Sequence, residues 1–351
     1  MDKNVVLNAF EKLGEIMTSI GSRSLWPGLK IGITQLEYED LQGLVKRQFY
    51  LNGWFTEDSV LQQFESIGVQ LTFSSLNKFT ESYTFAKEPK TIGVIMAGNI
   101  PLVGFHDFLC VLLTGNRISC KLSSDDKTLL PALAYILIKF YPELDANISF
   151  RDGKIGSIDA MIATGSGNSM LHFESYFGHL PHIFRKNRTS IAVITGKETK
   201  CELEALGSDV FSFFGLGCRN VSHLIIHKDV DINRFFEAII SYAHVVNLHK
   251  YANNYDYNKA IYLMNLEQIL DNGFVLLKES EELFSPLAMV FYHRYQTELE
   301  LERYLNDRKD HIQAVVGHGY FPFGSAQSPK LSDFADGVDT LKWMSRLNMN
   351  A

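Results

Sequence analysis

From Thr91 onward the chain alternates short, mostly apolar runs with helical segments, and this alternation restricts its fold more than any other feature. The runs are TIGVIMA (91–97), NRISCK (116–121), IDAMIAT (158–164) and SIAVIT (190–195). Between them lie VGFHDFLCVLL (103–113), DKTLLPALAYILIKFY (126–141), NSMLHFESYF (168–177) and ELEALGSDVFSF (202–213), all with apolar residues at helical spacing. A strand that is apolar on both faces must be covered on both faces, and helical crossovers supply that cover. The pattern therefore predicts an α/β fold built on a parallel sheet. A second set follows: VSHLIIH (221–227), one long helix over 232–249, LAMVFYH (287–293), a helix near 296–306 and IQAVVG (312–317). Residues before Thr91 read as amphipathic helices, as in LQGLVKRQFYLNGW and SVLQQFESIGVQL.

The bulk chemistry excludes several classes of function. A hydrophobic share of 46% over 351 residues supports a large core, and the formal charge of -7 does not suit a nucleic-acid-binding surface. The four cysteines form no CxxC pair and no disulfide framework, so a reducing, cytoplasmic setting is expected. The start, MDKNVVLNAFEKLGEIM, lacks the basic and apolar regions of a signal peptide, and no apolar run is long enough to span a membrane.

Open parallel sheets gather ligands at the carboxyl ends of their strands. Three such ends carry distinctive residues here: GNIP (98–101), KLSSDD (121–126) and GSGNS (165–169). The last is a small-residue turn leading into a helix, suited both to an ordinary helix cap and to holding a phosphate. No GxGxxG dinucleotide fingerprint is present. Farther on, GLGCRNVSHLII (215–226) places Cys218 directly after Gly-Leu-Gly, where an apolar run ends. A structural cysteine more often lies within such a run.

Taken in order, these pieces resemble the aldehyde dehydrogenase superfamily, and within it the LuxC-like acyl-CoA reductases. GNIP is similar to the family's W-N-F-P motif, which implies an oxyanion-hole role for Asn99. Lys121 matches the lysine that contacts the adenosine ribose. ATGS (163–166) resembles the F-T-G-S turn under the pyrophosphate, which carries over to Gly165 and Ser166. GLGCRNVSHLII resembles the catalytic loop, with Cys218 as nucleophile and Ser222 as the serine four residues later. EELFSPL (281–287) resembles E-E-I-F-G-P-V, so Glu282 would hold the nicotinamide ribose. PFGSAQSP (322–329) stands where the family has P-F-G-G, and FADGVDTLKWM (334–344) is similar to the acyl-CoA reductase branch.

The resemblance implies an aldehyde-dehydrogenase-like architecture: N-terminal helices and a Rossmann-type nicotinamide-dinucleotide-binding domain over 1–185, a smaller α/β catalytic domain over 186–325, and a tail over 326–351 that packs back or lies at a subunit interface. It also implies a homo-oligomer, dimer or tetramer. Two departures direct the chemistry. The span between Cys218 and Glu282 is short, and the E-L-G-G-K motif is replaced by LPHIFRKNRTS (180–190), which has no glutamate. In hydrolytic members of the family that glutamate activates water, so its loss disfavours release of a free acid. The expected activity is NAD(P)H-dependent reduction of an acyl-CoA or acyl-carrier thioester to the aldehyde through an acyl-cysteine. Ser124 stands where NAD-preferring relatives often place a glutamate, which favours NADPH, although NADH remains possible and Asp125 and Asp126 count against the preference.

Two other readings stay open on the residues alone. One is a cysteine-dependent acyltransferase or thioesterase, with His223 or His244 as base. The other is a non-catalytic acyl-binding protein on the same scaffold. HLPH (179–182) and HVVNLH (244–249) lack matching carboxylates or thiols, so no metal site is expected.

Overall fold

The computed structural model of the protein describes residues 1–349. It divides into two units, one comprising residues 1–186 with 330 onward, the other residues 187–329.

The first unit opens with α1 (Lys3–Gly21), α2 (Gln35–Leu51), α3 (Glu57–Gly68) and α4 (Phe73–Thr80). Their starts are written locally. The Asp2 carboxylate accepts from the N–H groups of Asn4 and Val5, while Thr34 and Glu37 form a reciprocal capping box. The α/β alternation follows: β1 (Thr91–Ile95), α5 (Phe105–Leu113), β2 (Arg117–Lys121), α6 (Leu129–Phe140), β3 (Ile148–Phe150), β4 (Ala160–Thr164), α7 (Gly167–Phe177) and β5 (His182–Arg185). The strands form one parallel sheet in the order β3-β2-β1-β4-β5. Phe10, Leu13, Ile16 and Phe64 of the helical segment share a core with Phe105, Phe108, Leu133 and Leu137, so the amphipathic helices bury their apolar stripe against the helices of the sheet.

The second unit carries β6 (Thr189–Ile194), α8 (Lys200–Phe211), β7 (Val221–His227), α9 (Asn233–Ala238), α10 (His249–Met264), β8 (Leu270–Asp271), β9 (Leu276–Glu279), β10 (Met289–Tyr295), α11 (Glu298–Arg308) and β11 (Ile312–Val316). Its sheet runs β11-β6-β7-β10-β9-β8 and is parallel except for β8, which pairs antiparallel with β9. Residues of β6 and β7 are buried almost throughout, the polar Thr189, Ser190, Ser222 and His223 included. The fold is thus the expected α/β class with parallel sheets.

The single long helix expected over 232–249 is not formed. α9 ends at Ala238, a 3-10 segment spans Ile240–Asn247, and Leu248 leaves helical geometry (φ -80, ψ 113) before α10 begins. Short strands also went unread. β3 and β5 are only partly buried, and β8 and β9 are two and four residues long, too brief for a periodic signal.

The chain then returns to the first unit, where α12 (Thr340–Met349) buries Leu341 and Met344. Arg185 at the tip of β5 pairs with Asp107 of α5, both buried, and its other Nη donates to Thr340 Oγ1 at 3.0 Å. Among the described residues no helix is long and apolar enough to cross a membrane.

Candidate active site

In the first unit the adjacent strands β2, β1 and β4 deliver Lys121, Asn99 and the Gly165–Ser166 turn to the same, carboxyl end of the sheet. The β1 and β2 exits are fastened together. Met96 N–H donates to Lys121 C=O at 3.0 Å, and a Cβ on Gly98 would fall 2.5 Å from Ser123 Cβ, so only glycine lets the two loops meet. The turn after Asn99 is anchored from below. Leu102, in the left-handed region at φ 55, donates its N–H to Asp126 Oδ2 at 2.7 Å. Asp126 is buried, and burial pushes its carboxyl up to about 6. Asn99, Lys121, Ser124 and Ser166 themselves are exposed. Ser166 caps α7, accepting from Ser169 N–H.

That donor set fits a nicotinamide dinucleotide. The Lys121 ammonium and Ser124 hydroxyl suit ribose oxygens, and the first N–H groups of α7 suit a pyrophosphate.

In the second unit α8 runs into a loop of uncommon backbone. Phe213 (φ 51), Phe214 (φ 58) and Gly215 (φ 82) are consecutive left-handed residues, and Gly217 (φ 98) follows. Non-glycine residues avoid this region at a cost of about 1 kcal/mol or more each, so the surrounding structure must impose it. Cys218 comes next, half-buried, with its carbonyl accepting from Ser190 Oγ at 3.2 Å; Asn220 N–H then closes a turn on Gly217 C=O and the chain enters β7. The other cysteines differ. Cys110 and Cys120 are buried and burial pushes both thiols up, away from the reactive thiolate, while Cys201 is exposed on α8.

Ser222 and His223, at the start of β7, reach the segment that carries Glu282. Ser222 Oγ accepts or donates with Thr189 Oγ1 at 2.7 Å and donates to Leu283 C=O at 3.2 Å. His223 Nδ1 donates to Glu282 C=O at 2.9 Å, and Tyr304 O–H donates to His223 Nε2 at 3.3 Å. Burial lowers His223 to about 4, helped by His293 and Arg308, so the ring is neutral with its proton on Nδ1. Both ring nitrogens are therefore engaged. His244 lies on Ser241 C=O through Nδ1. The Glu282 side chain is exposed.

Sequence reasoning missed Asp209. It is fully buried in the last turn of α8, and its two oxygens accept from Gly324 N–H (2.7 Å) and Ala326 N–H (2.8 Å), clamping the PFGSA turn. Burial pushes this carboxyl up to about 6. The signal was present: Asp209 falls three residues after Leu206, on the face that buries Leu203, Leu206 and Val210. Among the described residues no group of three or more His, Cys, Asp or Glu side chains is placed to hold a metal ion.

No protein-family model matches the sequence, and no curated protein sequence matches it. Solved structures do match in fold. Aldehyde dehydrogenase 21 from Physcomitrella patens is similar at TM-score 0.62 and 11% identity, covering 90% of this chain and 74% of that one. A putative aldehyde dehydrogenase from Burkholderia cenocepacia gives 0.61 and 12%, covering 91% and 76%. An indole-3-acetaldehyde dehydrogenase from P. syringae, solved with NAD+, gives 0.63 and 11%, covering 88% and 70%. The chain has the aldehyde dehydrogenase fold.

Proposed function

We propose that the protein reduces an acyl thioester, acyl-CoA or acyl-carrier, to the aldehyde with NAD(P)H, through an acyl group held on Cys218. The observation that carries this reading is the loop itself: a half-buried cysteine, set by consecutive left-handed residues at the head of β7, on an aldehyde dehydrogenase fold.

The chain's residues divide the work as follows. The Cys218 thiolate attacks the thioester carbonyl; a new C–S bond forms, the old one breaks, and the CoA thiolate leaves and takes up a proton. A nicotinamide dinucleotide, when bound, would supply the hydride that the acyl carbon on Cys218 accepts. The resulting oxyanion needs donors already in place, for which the Asn99 amide and the Cys218 N–H are the candidates. Collapse breaks the C–S bond, releasing aldehyde and returning the thiol. Lys121, Ser124, Gly165, Ser166 and Glu282 would hold the dinucleotide, and Ser124 favours the phosphorylated form. The segment 180–190, which forms β5 and the start of β6, offers no glutamate to activate water. An acyl group on Cys218 is then left for hydride. A hydrolase or acyltransferase with His223 as base is disfavoured because that ring is buried and engaged at both nitrogens.

Intact-mass analysis after addition of a long-chain acyl-CoA tests the reading. The expected result is one acyl adduct on Cys218 without NADPH, and loss of the adduct with release of aldehyde and CoA when NADPH or NADH is added. CoA release indifferent to both nucleotides would point to acyl transfer, and absence of any adduct to a binding protein.

A further inference from the structure

We propose that His223, assisted by Ser222, is a positioning residue for Glu282, coupling the strand that follows the cysteine to the segment that presents the carboxylate. This rests on the function proposed above. The three residues Glu281, Glu282 and Leu283 lie outside regular structure, in a stretch that would ordinarily move. Yet each is held. His223 Nδ1–H takes the Glu282 carbonyl at 2.9 Å, and Ser222 Oγ–H takes the Leu283 carbonyl at 3.2 Å. Glu282 N–H donates to Ser280 Oγ at 3.1 Å. The Glu281 carboxylate meets His293 Nδ1 at 3.0 Å and Arg308 Nη2 at 3.5 Å. Leu283 is buried, and the Glu282 side chain is left exposed to solvent.

The two β7 side chains are themselves fixed. His223 is buried, and its tautomer is set because Tyr304 O–H fills Nε2 and leaves the proton on Nδ1; Ser222 is buried against Thr189. The column continues outward, with His293 stacked on Tyr304 (ring centroids 5.2 Å apart) and the Arg308 guanidinium 3.9 Å above the same ring. A polar group buried this deeply in a central strand costs stability unless its hydrogen bonds are met, and here they are met by the Glu282 segment. A carboxylate on a held segment binds a ribose diol without first losing the freedom of that segment, which favours affinity.

The test compares two substitutions of similar size. Asn places its amide near Nδ1 and keeps the donor to Glu282 C=O; Gln places it near Nε2 and loses that donor. Two readouts are taken on the purified protein: calorimetric Kd for NADPH and NADH, and hydrogen exchange of the amides over 280–285. Expected for His223→Gln is a Kd about five- to tenfold weaker, the size of one lost neutral hydrogen bond, with faster exchange over 280–285. His223→Asn should stay within about twofold of wild type in both, and Tyr304→Phe, which frees the tautomer, should fall between them. Equal behaviour of the Asn and Gln variants, while wild type binds nucleotide, overturns the positioning role and leaves the proposed function standing. A wild type that binds neither nucleotide overturns the proposed function and this role with it.

Discussion

The loops at the carboxyl ends of β1, β2 and β4 and the segments around Cys218 and Glu282 are built on opposite plans. In the first region the candidate side chains, Asn99, Lys121, Ser124 and Ser166, are exposed at loop and strand ends, and the turn after Asn99 is held by one buried carboxylate, Asp126. In the second the candidate residues are surrounded by constraint: left-handed backbone before Cys218, a clamp at Asp209, and a buried histidine and serine under Glu282. The difference suits different tasks. Many exposed donors can close around a flexible dinucleotide, each contributing a little, whereas a nucleophile must already stand where the bond will form.

The largest expected effect is at the thiol. Cys218→Ala should abolish the acyl adduct outright by intact mass, whereas Cys110→Ala should keep it and lose only thermal stability; an adduct surviving in the first variant would dissolve the contrast between the regions. Next, Asn99→Ala should lower kcat by about 10²–10³-fold, the usual cost of one oxyanion donor, with Tm unchanged because the side chain is exposed. A fall in Tm would instead make Asn99 part of the turn.

The third prediction uses pH, since the two regions bury groups of opposite sign. Asp126 has a folded value of about 6 against 3.8, so its contribution to stability is present below 3.8 and is lost as pH rises through 6. His223 has a folded value of about 4 against 6.5, so its contribution is present above 6.5 and is lost as pH falls through 4. Each shift corresponds to about 3 kcal/mol. On acidification from pH 6.5 to 4 the Asp126 contribution to stability should grow while the His223 contribution falls. Unfolding of Asp126→Asn and His223→Asn, each compared with wild type across this window, should show gaps that change in opposite senses.

The smallest effect is a control on strain. Leu266 follows α10 in left-handed geometry (φ 58) and the residue is 91% exposed, so it contributes almost no packing. Leu266→Gly should stabilise the protein by about 1 kcal/mol in chemical denaturation, as glycine does at that helix-ending position. The left-handed conformation at Phe213 differs, because that side chain is buried and glycine there would lose core contacts.

The sequence made the α/β alternation legible because buried parallel strands read as mostly apolar runs, as β4 and β6 do. It also placed GNIP, Lys121 and GSGNS at strand ends, since that follows from strand order alone. It could not give the break at Leu248, where the apolar spacing persists though the helix does not. Nor could it give the contacts of His223 with Glu282 and of Asp209 with Ala326, whose partners are 59 and 117 residues away. Such pairings depend on which strands lie side by side, and local pattern carries no record of that. The left-handed pair Phe213–Phe214 was hidden for a related reason: the residue types oppose the conformation, and only tertiary context imposes it.

The return of α12 to the first unit has a consequence for how the chain is made. Leu341 and Met344 complete that unit's core, and Lys90 Nζ donates to the Leu347 carbonyl at 2.6 Å, but these residues leave the ribosome after the whole of 187–329. The second unit can close while the first still waits for its last helix. A nascent chain stalled before Lys330 would lack α12 and leave the apolar seat of Met344 uncovered.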